Sequence, residues 1–82
     1  MYVIVAYDIS NDYNRNKVMK RLLGLGFKRL QKSVYVRRGS RGDAKDALRA
    51  VQRYLEENDK IFVIVVSDKE FREAFLVEGK VA

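Results

Sequence analysis

Two stretches of this chain are apolar at nearly every position, Tyr2-Val3-Ile4-Val5-Ala6-Tyr7 and Ile61-Phe62-Val63-Ile64-Val65-Val66. Both are rich in β-branched and aromatic residues and too short for buried helices. They predict central strands over Tyr2 to Asp8 and Lys60 to Val66, each apolar on both faces. After the first, Ser10-Asn11-Asp12 offers helix caps, and Val18, Met19, Leu22 and Leu23 recur at helical spacing until Gly24 and Gly26 stop the helix. The segment Phe27 to Arg38 carries extended signals. It reads either as a short strand, Phe27 to Leu30, joined by a tight bend to another, Ser33 to Arg38, or as one bent strand. Gly39-Ser40-Arg41-Gly42 is a loop. Ala44, Ala47, Leu48, Val51, Tyr54 and Leu55 then trace an amphipathic helix, capped by Asp43 and ending near Asn58. In the tail, Ser67-Asp68-Lys69-Glu70 has capping-box spacing for a turn of helix, and Ala74 to Val77 has the composition of a last short strand.

The resulting order, strand, helix, strand, strand, helix, strand, predicts an α+β fold: a ferredoxin-like βαββαβ antiparallel sheet with two helices on one face. Two helices cover only one side of such a sheet. Since strands 2–8 and 60–66 are apolar on both sides, the open face would be a large exposed apolar patch, and a second copy of the chain is its simplest cover. We therefore expect a homodimer formed through the sheet. With 82 residues the chain encloses one modest core, so residues 1–82 are expected to form a single domain.

Composition narrows the chemistry. There is no cysteine and no histidine. Disulfide scaffolds, thiolate zinc sites, thiol nucleophiles and imidazole bases are thereby excluded, and any catalysis must run on carboxylates, hydroxyls, Lys, Arg, Tyr or a metal held by oxygen. The net charge is +6, unevenly spread: residues 1–53 hold 13 Lys/Arg against 4 Asp/Glu, a net of +9, and residues 54–82 a net of −3. A basic block of this kind points to an anionic partner, nucleic acid being the commonest. No apolar run approaches the ~20 residues that a membrane helix needs, and the opening residues lack the basic front end of a signal peptide. We expect a cytoplasmic protein with no membrane partner.

Asp8 ends the first strand, where the chain leaves the sheet for a helix. Parity places it with Tyr2, Ile4 and Ala6 and opposite Tyr7. An aspartate there is ordinarily a turn former or cap. The nearby Arg15 and Lys17, and the helix N-terminus itself, favour phosphate. Mg²⁺ is usually held by one or two carboxylates plus substrate phosphates. One Asp per chain is thin for that, but two Asp8 side chains meeting across a dimer axis would suffice, and a metal there could activate water against a phosphodiester. From Gly26 to Arg38, basic residues interleave with Gln31, Ser33 and Tyr35, which reads either as a solvated edge hairpin or as a phosphate-gripping surface that includes Arg37 and Arg38. The Gly39 to Gly42 loop lacks the Gly-Lys-Ser/Thr ending of a Walker loop, so nucleotide hydrolysis is discarded.

The run Tyr2 to Ser10, followed by Arg15 and Lys17 and then by Arg29-Leu30-Gln31-Lys32-Ser33-Val34-Tyr35, resembles the CRISPR-associated protein 2 family, over nearly the whole chain in length and element order. The resemblance implies a ferredoxin-like homodimer in which Asp8 of each protomer faces the other and binds Mg²⁺ or Mn²⁺. It implies metal-dependent cleavage of RNA or double-stranded DNA, a role in spacer acquisition, and partnership with the CRISPR integrase, CRISPR-associated protein 1. It also implies that Tyr7, Arg15, Lys17, Arg29 and Tyr35 support cleavage or nucleic-acid contact. Lys17 and Tyr35 stand where the family commonly has Arg and Phe, and Ser67 lies near the position of a usual proline. Two other readings stay open: a catalytically silent scaffold that holds DNA for the integrase, and a toxin-type ribonuclease unrelated to CRISPR. An RRM-type reader is disfavoured because the aromatic RNP pattern is missing.

Overall fold

The structure, a computed structural model, describes residues 1–79. Four strands, β1 (Tyr2–Asp8), β2 (Lys28–Gln31), β3 (Val34–Arg38) and β4 (Lys60–Val66), form one antiparallel sheet in the order β2-β3-β1-β4. Helices α1 (Asp12–Gly24) and α2 (Arg41–Val51) supply the two crossovers, and a short α3 (Asp68–Arg72) follows β4. This is the expected βαββαβ fold.

β1 is central because its residues from Tyr2 to Tyr7 are apolar on both faces. Val3 and Val5 have no exposed surface and Tyr7 is nearly covered, all three pointing toward Val18 and Leu22 of α1 and Ala47 and Val51 of α2. On the opposite face the register sets Ile4 beside Val36 and Ile64, and Ala6 beside Val34 and Phe62. No helix covers that centre: Phe62 is 59% and Ile64 41% exposed, so the expected bare apolar face is present. α3 reaches only one end of it, where the Phe71 ring stacks on Tyr2 with centroids 4.3 Å apart.

Local chemistry explains the boundaries. Asn11 caps α1, its side chain accepting from the backbone N–H of Asn14 at 2.9 Å. The helix closes through Gly26, whose φ of +90° lets its N–H reach the Leu23 carbonyl and that of Phe27 the Leu22 carbonyl. The hairpin after it is two strands and not one bent strand, with a bulge between Arg29 and Gln31, and β2 runs one residue later than expected.

Three expectations need correction: the cap of the second helix, its end near Asn58 and the last strand. The second helix is capped by Ser40 and not by Asp43. Asp43 is its third residue and accepts from the Ser40 N–H at 2.8 Å, a bond that, as the largest cause, holds its carboxyl below the usual range. That helix ends at Val51, and a 3₁₀ turn over Gln52–Tyr54 leads to Leu55. The tail's capping box is present, Ser67 and Glu70 exchanging bonds of 2.9 and 3.0 Å. The expected strand over Ala74 to Val77 is not: no strand follows β4 among the described residues, and Phe75 and Val77 stand in solvent.

Candidate metal and nucleic-acid site

The candidate residues fall into three places on the sheet. Asp8 lies exposed at the end of β1, on the open face. Its cross-strand neighbour is Lys60, and the two border a hollow of about 460 Å³ shared with Ala6, Tyr7, Ile61 and Phe62. The chain leaving Asp8 is held firmly. Arg15 donates through Nη1 to the Ile9 carbonyl at 2.9 Å and pairs with Asp12 through Nη2, while Asp59 accepts from the Ser10 N–H at 3.2 Å and from the Glu56 N–H at 2.9 Å. Asp8 is therefore presented on a fixed backbone at the rim of the apolar face. No group of three or more acidic side chains able to hold a cation is present among the described residues. What one chain offers a metal is a single accessible carboxylate, a donor that suits a hydrated Mg²⁺ or Mn²⁺ completed by another carboxylate or by phosphate oxygens.

Tyr7, Arg15, Arg29 and Tyr35 gather on the other face. With Asp12, Asn16, Met19 and Lys32 they line a cleft of about 190 Å³ between α1 and the β2–β3 turn. The register makes this possible, since Arg29 pairs with Tyr35 and Tyr35 with Val5. Arg29 also donates to the Lys32 carbonyl at 3.2 Å and so shapes the turn. Sequence reasoning did not single out Lys32, Asn16 or Lys60 as site residues; each acquires its place from pairing or helix docking, neither of which leaves a local signal.

Tyr35 lies inward, its ring without exposed surface and stacked on Tyr7 at 5.8 Å within the core. Tyr7 is almost as enclosed, and burial, followed by the neighbouring Tyr35 hydroxyl, pushes its phenol well above the ordinary tyrosine range. The Tyr35 hydroxyl itself is buried beside that of Tyr7 with no well-formed hydrogen bond. An orphaned buried hydroxyl costs about 1–3 kcal/mol. Tyr35→Phe is therefore expected to raise the stability of the free protein by about 1 kcal/mol or more, read as a higher urea midpoint at unchanged slope.

Arg37 and Arg38 stand apart from both places, opposite Val3 and Tyr2, so that six residues of extended chain, ~20 Å, separate them from Asp8. Arg37 donates to the Leu25 carbonyl at 2.7 Å and lies 3.8 Å from Asp43. Arg38 covers the Tyr2 ring and reaches Asp68 at 3.1 Å. Lys17 projects from α1 with its ammonium 5.3 Å from the centre of the Tyr13 ring.

A four-stranded βαββαβ sheet with one bare face, an accessible carboxylate at its rim and basic side chains around it defines a small class of ferredoxin-like α+β proteins. Within that class the chain belongs to a particular family: residues 1–74 match CRISPR associated protein Cas2. It is 48% identical over 80 residues to the CRISPR-associated endoribonuclease Cas2 of Aeropyrum pernix, covering 96% of this chain and 87% of that one. To the protein of the same name from Thermofilum pendens it is 38% identical, covering 98% and 86%. A crystal structure of a Cas2 superposes with a TM-score of 0.77 at 30% identity, covering 98% of this chain and 87% of the other. Streptococcus pyogenes Cas2 superposes at 0.74 with 20% identity, covering 95% and 100%, and there the likeness is one of fold. No helix among the described residues is long and apolar enough to cross a membrane.

Proposed function

We propose that this chain acts in CRISPR spacer acquisition as a homodimer that binds nucleic acid beside the integrase, CRISPR-associated protein 1, and that it is a metal-dependent endonuclease of RNA or double-stranded DNA centred on Asp8. The observation that carries this reading is the position of Asp8 on the face that is bare and apolar, two register steps from Phe62 and Ala6. A second copy packed on that face would bring its own Asp8 toward the first and supply the second carboxylate that one chain lacks. When bound there, Mg²⁺ or Mn²⁺ supplies Lewis acidity toward a phosphodiester and an attacking water. The chain's own part is to hold the two carboxylates on fixed backbone and to offer cations to the flanking phosphates.

Membership of the family sets aside the toxin-type reading. The scaffold reading is favoured by the single carboxylate that each chain contributes. Comparing Asp8→Ala with wild type, for cleavage and for spacer uptake in cells carrying the integrase and a repeat array, separates the two. Loss of both supports the nuclease; uptake retained while cleavage is lost supports the scaffold; uptake that does not need this chain at all overturns the acquisition role.

Nucleic-acid binding through the basic block is expected to be independent of sequence and to weaken steeply with salt. Lys17 makes no ion pair among the described residues, so Lys17→Gln is expected to lower the log–log salt slope by ~1 without disturbing the fold. Binding insensitive to salt would mean that the positive charge serves solubility alone.

A further inference from the structure

The cleft between α1 and the β2–β3 turn is almost wholly a set of hydrogen-bond donors. Arg15, Arg29 and Lys32 contribute three cations to its lining and Asp12 one carboxylate, a net of +2. That carboxylate is already paired with Arg15. Lys32 makes no ion pair among the described residues. Arg29 spends one terminal nitrogen on the Lys32 carbonyl and keeps its other donors free. Behind these, Tyr7 and Tyr35 form the inner wall with their rings stacked. Each hydroxyl carries a proton, and a mutual bond would use only one of the two. The buried Tyr35 hydroxyl lies beside that of Tyr7 and makes no well-formed hydrogen bond. A buried polar group without a well-formed bond calls for an explanation, and here cationic donors outnumber the single carboxylate of the lining.

Such a site is completed by a ligand that only accepts. Water is neutral and would leave the net +2 of the lining uncompensated. A carboxylate or a phosphodiester carries one negative charge and would leave the net +2 half neutralised. A phosphate monoester dianion matches the charge, offers three terminal oxygens with lone pairs to spare, and suits planar guanidinium donors. The cleft, about 190 Å³, has room for one phosphate group and not for a base pair. It faces away from Asp8, so a group held here is not the bond being cleaved there.

We infer that the cleft of Tyr7, Arg15, Arg29, Lys32 and Tyr35 is a binding site for a phosphate monoester, the terminal phosphate of a nucleic-acid strand or free phosphate. The first source rests on the nucleic-acid reading above; the second stands without it. Tyr35 serves the site through its neighbour: with the Tyr7 hydroxyl donating its hydrogen bond to the ligand, the Tyr7 oxygen accepts from the Tyr35 hydroxyl, which makes Tyr35 a positioning residue and gives its buried hydroxyl a well-formed bond in the bound state.

The test uses the intact protein labelled with ¹⁵N and titrated with inorganic phosphate at constant ionic strength. Saturable shifts are expected at the amides of Tyr7, Arg15, Arg29 and Lys32. Tyr35→Phe is expected to weaken binding about fivefold, the worth of one neutral hydrogen bond, and Lys32→Gln about tenfold, that of one to a charged group. Because Tyr35→Phe is also expected to be more stable than wild type, weaker binding by that variant is not a sign of unfolding. A parallel arm compares duplexes with 5′-phosphate and 5′-hydroxyl ends. A preference for the phosphorylated end that disappears in Lys32→Gln assigns the strand terminus; equal affinity for both ends with saturable inorganic phosphate assigns the free anion. Absence of saturable shifts in the cleft, or wild-type affinity in both variants, overturns the inference. If 5′-hydroxyl duplex still binds in that case, the nucleic-acid reading survives; if phosphate binds and no duplex does, that reading fails and this site remains.

Discussion

Replacing Asp8 by Asn is expected to lower metal-dependent cleavage by about 100-fold or more, at the low end of what removing one preorganised electrostatic group from an active centre costs. Asn nearly preserves the shape of the side chain and removes its charge. Asp8 is exposed and makes no ion pair among the described residues, so nothing in the fold depends on it. Dimerisation and duplex binding are accordingly expected to stay near wild type. Since the chain has no histidine to act as base, cleavage is expected to require Mg²⁺ or Mn²⁺ and to stop in EDTA. A cation competes with protons for a carboxylate, so metal affinity falls in acid, while removal of a proton from the attacking water becomes easier as pH rises. Activity is therefore expected to increase from neutral to mildly alkaline conditions. Cleavage assays of both proteins across that range check this; full activity of the Asn variant, or activity of wild type in EDTA, would place the chemistry elsewhere.

Phe62→Glu is expected to abolish self-association. Phe62 lies on the bare face in the outer strand β4, 59% exposed in the single chain, beside Ala6 and close to Ile64. In a two-fold dimer the substitution occurs twice, and each unpaired carboxylate buried against apolar neighbours costs several kcal/mol, so the dissociation constant is expected to rise by about 100-fold or more. In the free chain the same side chain points to water and the cost to folding is small. Light scattering should report a chain near 9.6 kDa for the variant and twice that for wild type. If wild type is itself a stable monomer at micromolar concentration, the shared metal centre falls with the dimer. Read with Asp8→Asn, the variant separates two failures: one protein dimerises without cleaving, the other neither dimerises nor cleaves.

Most of the fold was legible because it is written in periodicities. β1 and β4 announce themselves by runs in which both alternating sets are apolar, and α2 by Ala44, Ala47, Leu48 and Val51 on one stripe. Boundaries were less legible where two residues compete for one role. Ser40 and Asp43 are both good caps, and the choice is settled by Asp43 reaching back to the Ser40 N–H. The placement of Asp8 on the open face and of Tyr7 on the covered one follows from strand parity alone. The convergence of Arg15, Arg29, Lys32, Tyr7 and Tyr35 does not. It depends on a bulge in the β2–β3 pairing and on how α1 lies across the sheet, and neither is encoded by the residues that meet there. Tyr35 sits in a basic hairpin, and only its pairing with Val5 shows that its ring enters the core.

The two outer strands of the sheet differ in a way that bears on handling the protein. β2 is short and carries Lys28 and Arg29, with Lys32 in the turn that follows, so its free edge repels a like edge. β4 is longer and, apart from Lys60, consists of apolar β-formers, with Val63, Ile64 and Val65 opening onto a groove beside α2 whose nearest charges are Arg41 and Lys45. Only the positive charge of the molecule discourages strand-to-strand aggregation along that edge. Concentrated salt, the usual means of stripping nucleic acid from a basic protein, screens that charge as well. Purification at high ionic strength is thus expected to trade bound nucleic acid for β4-mediated precipitation.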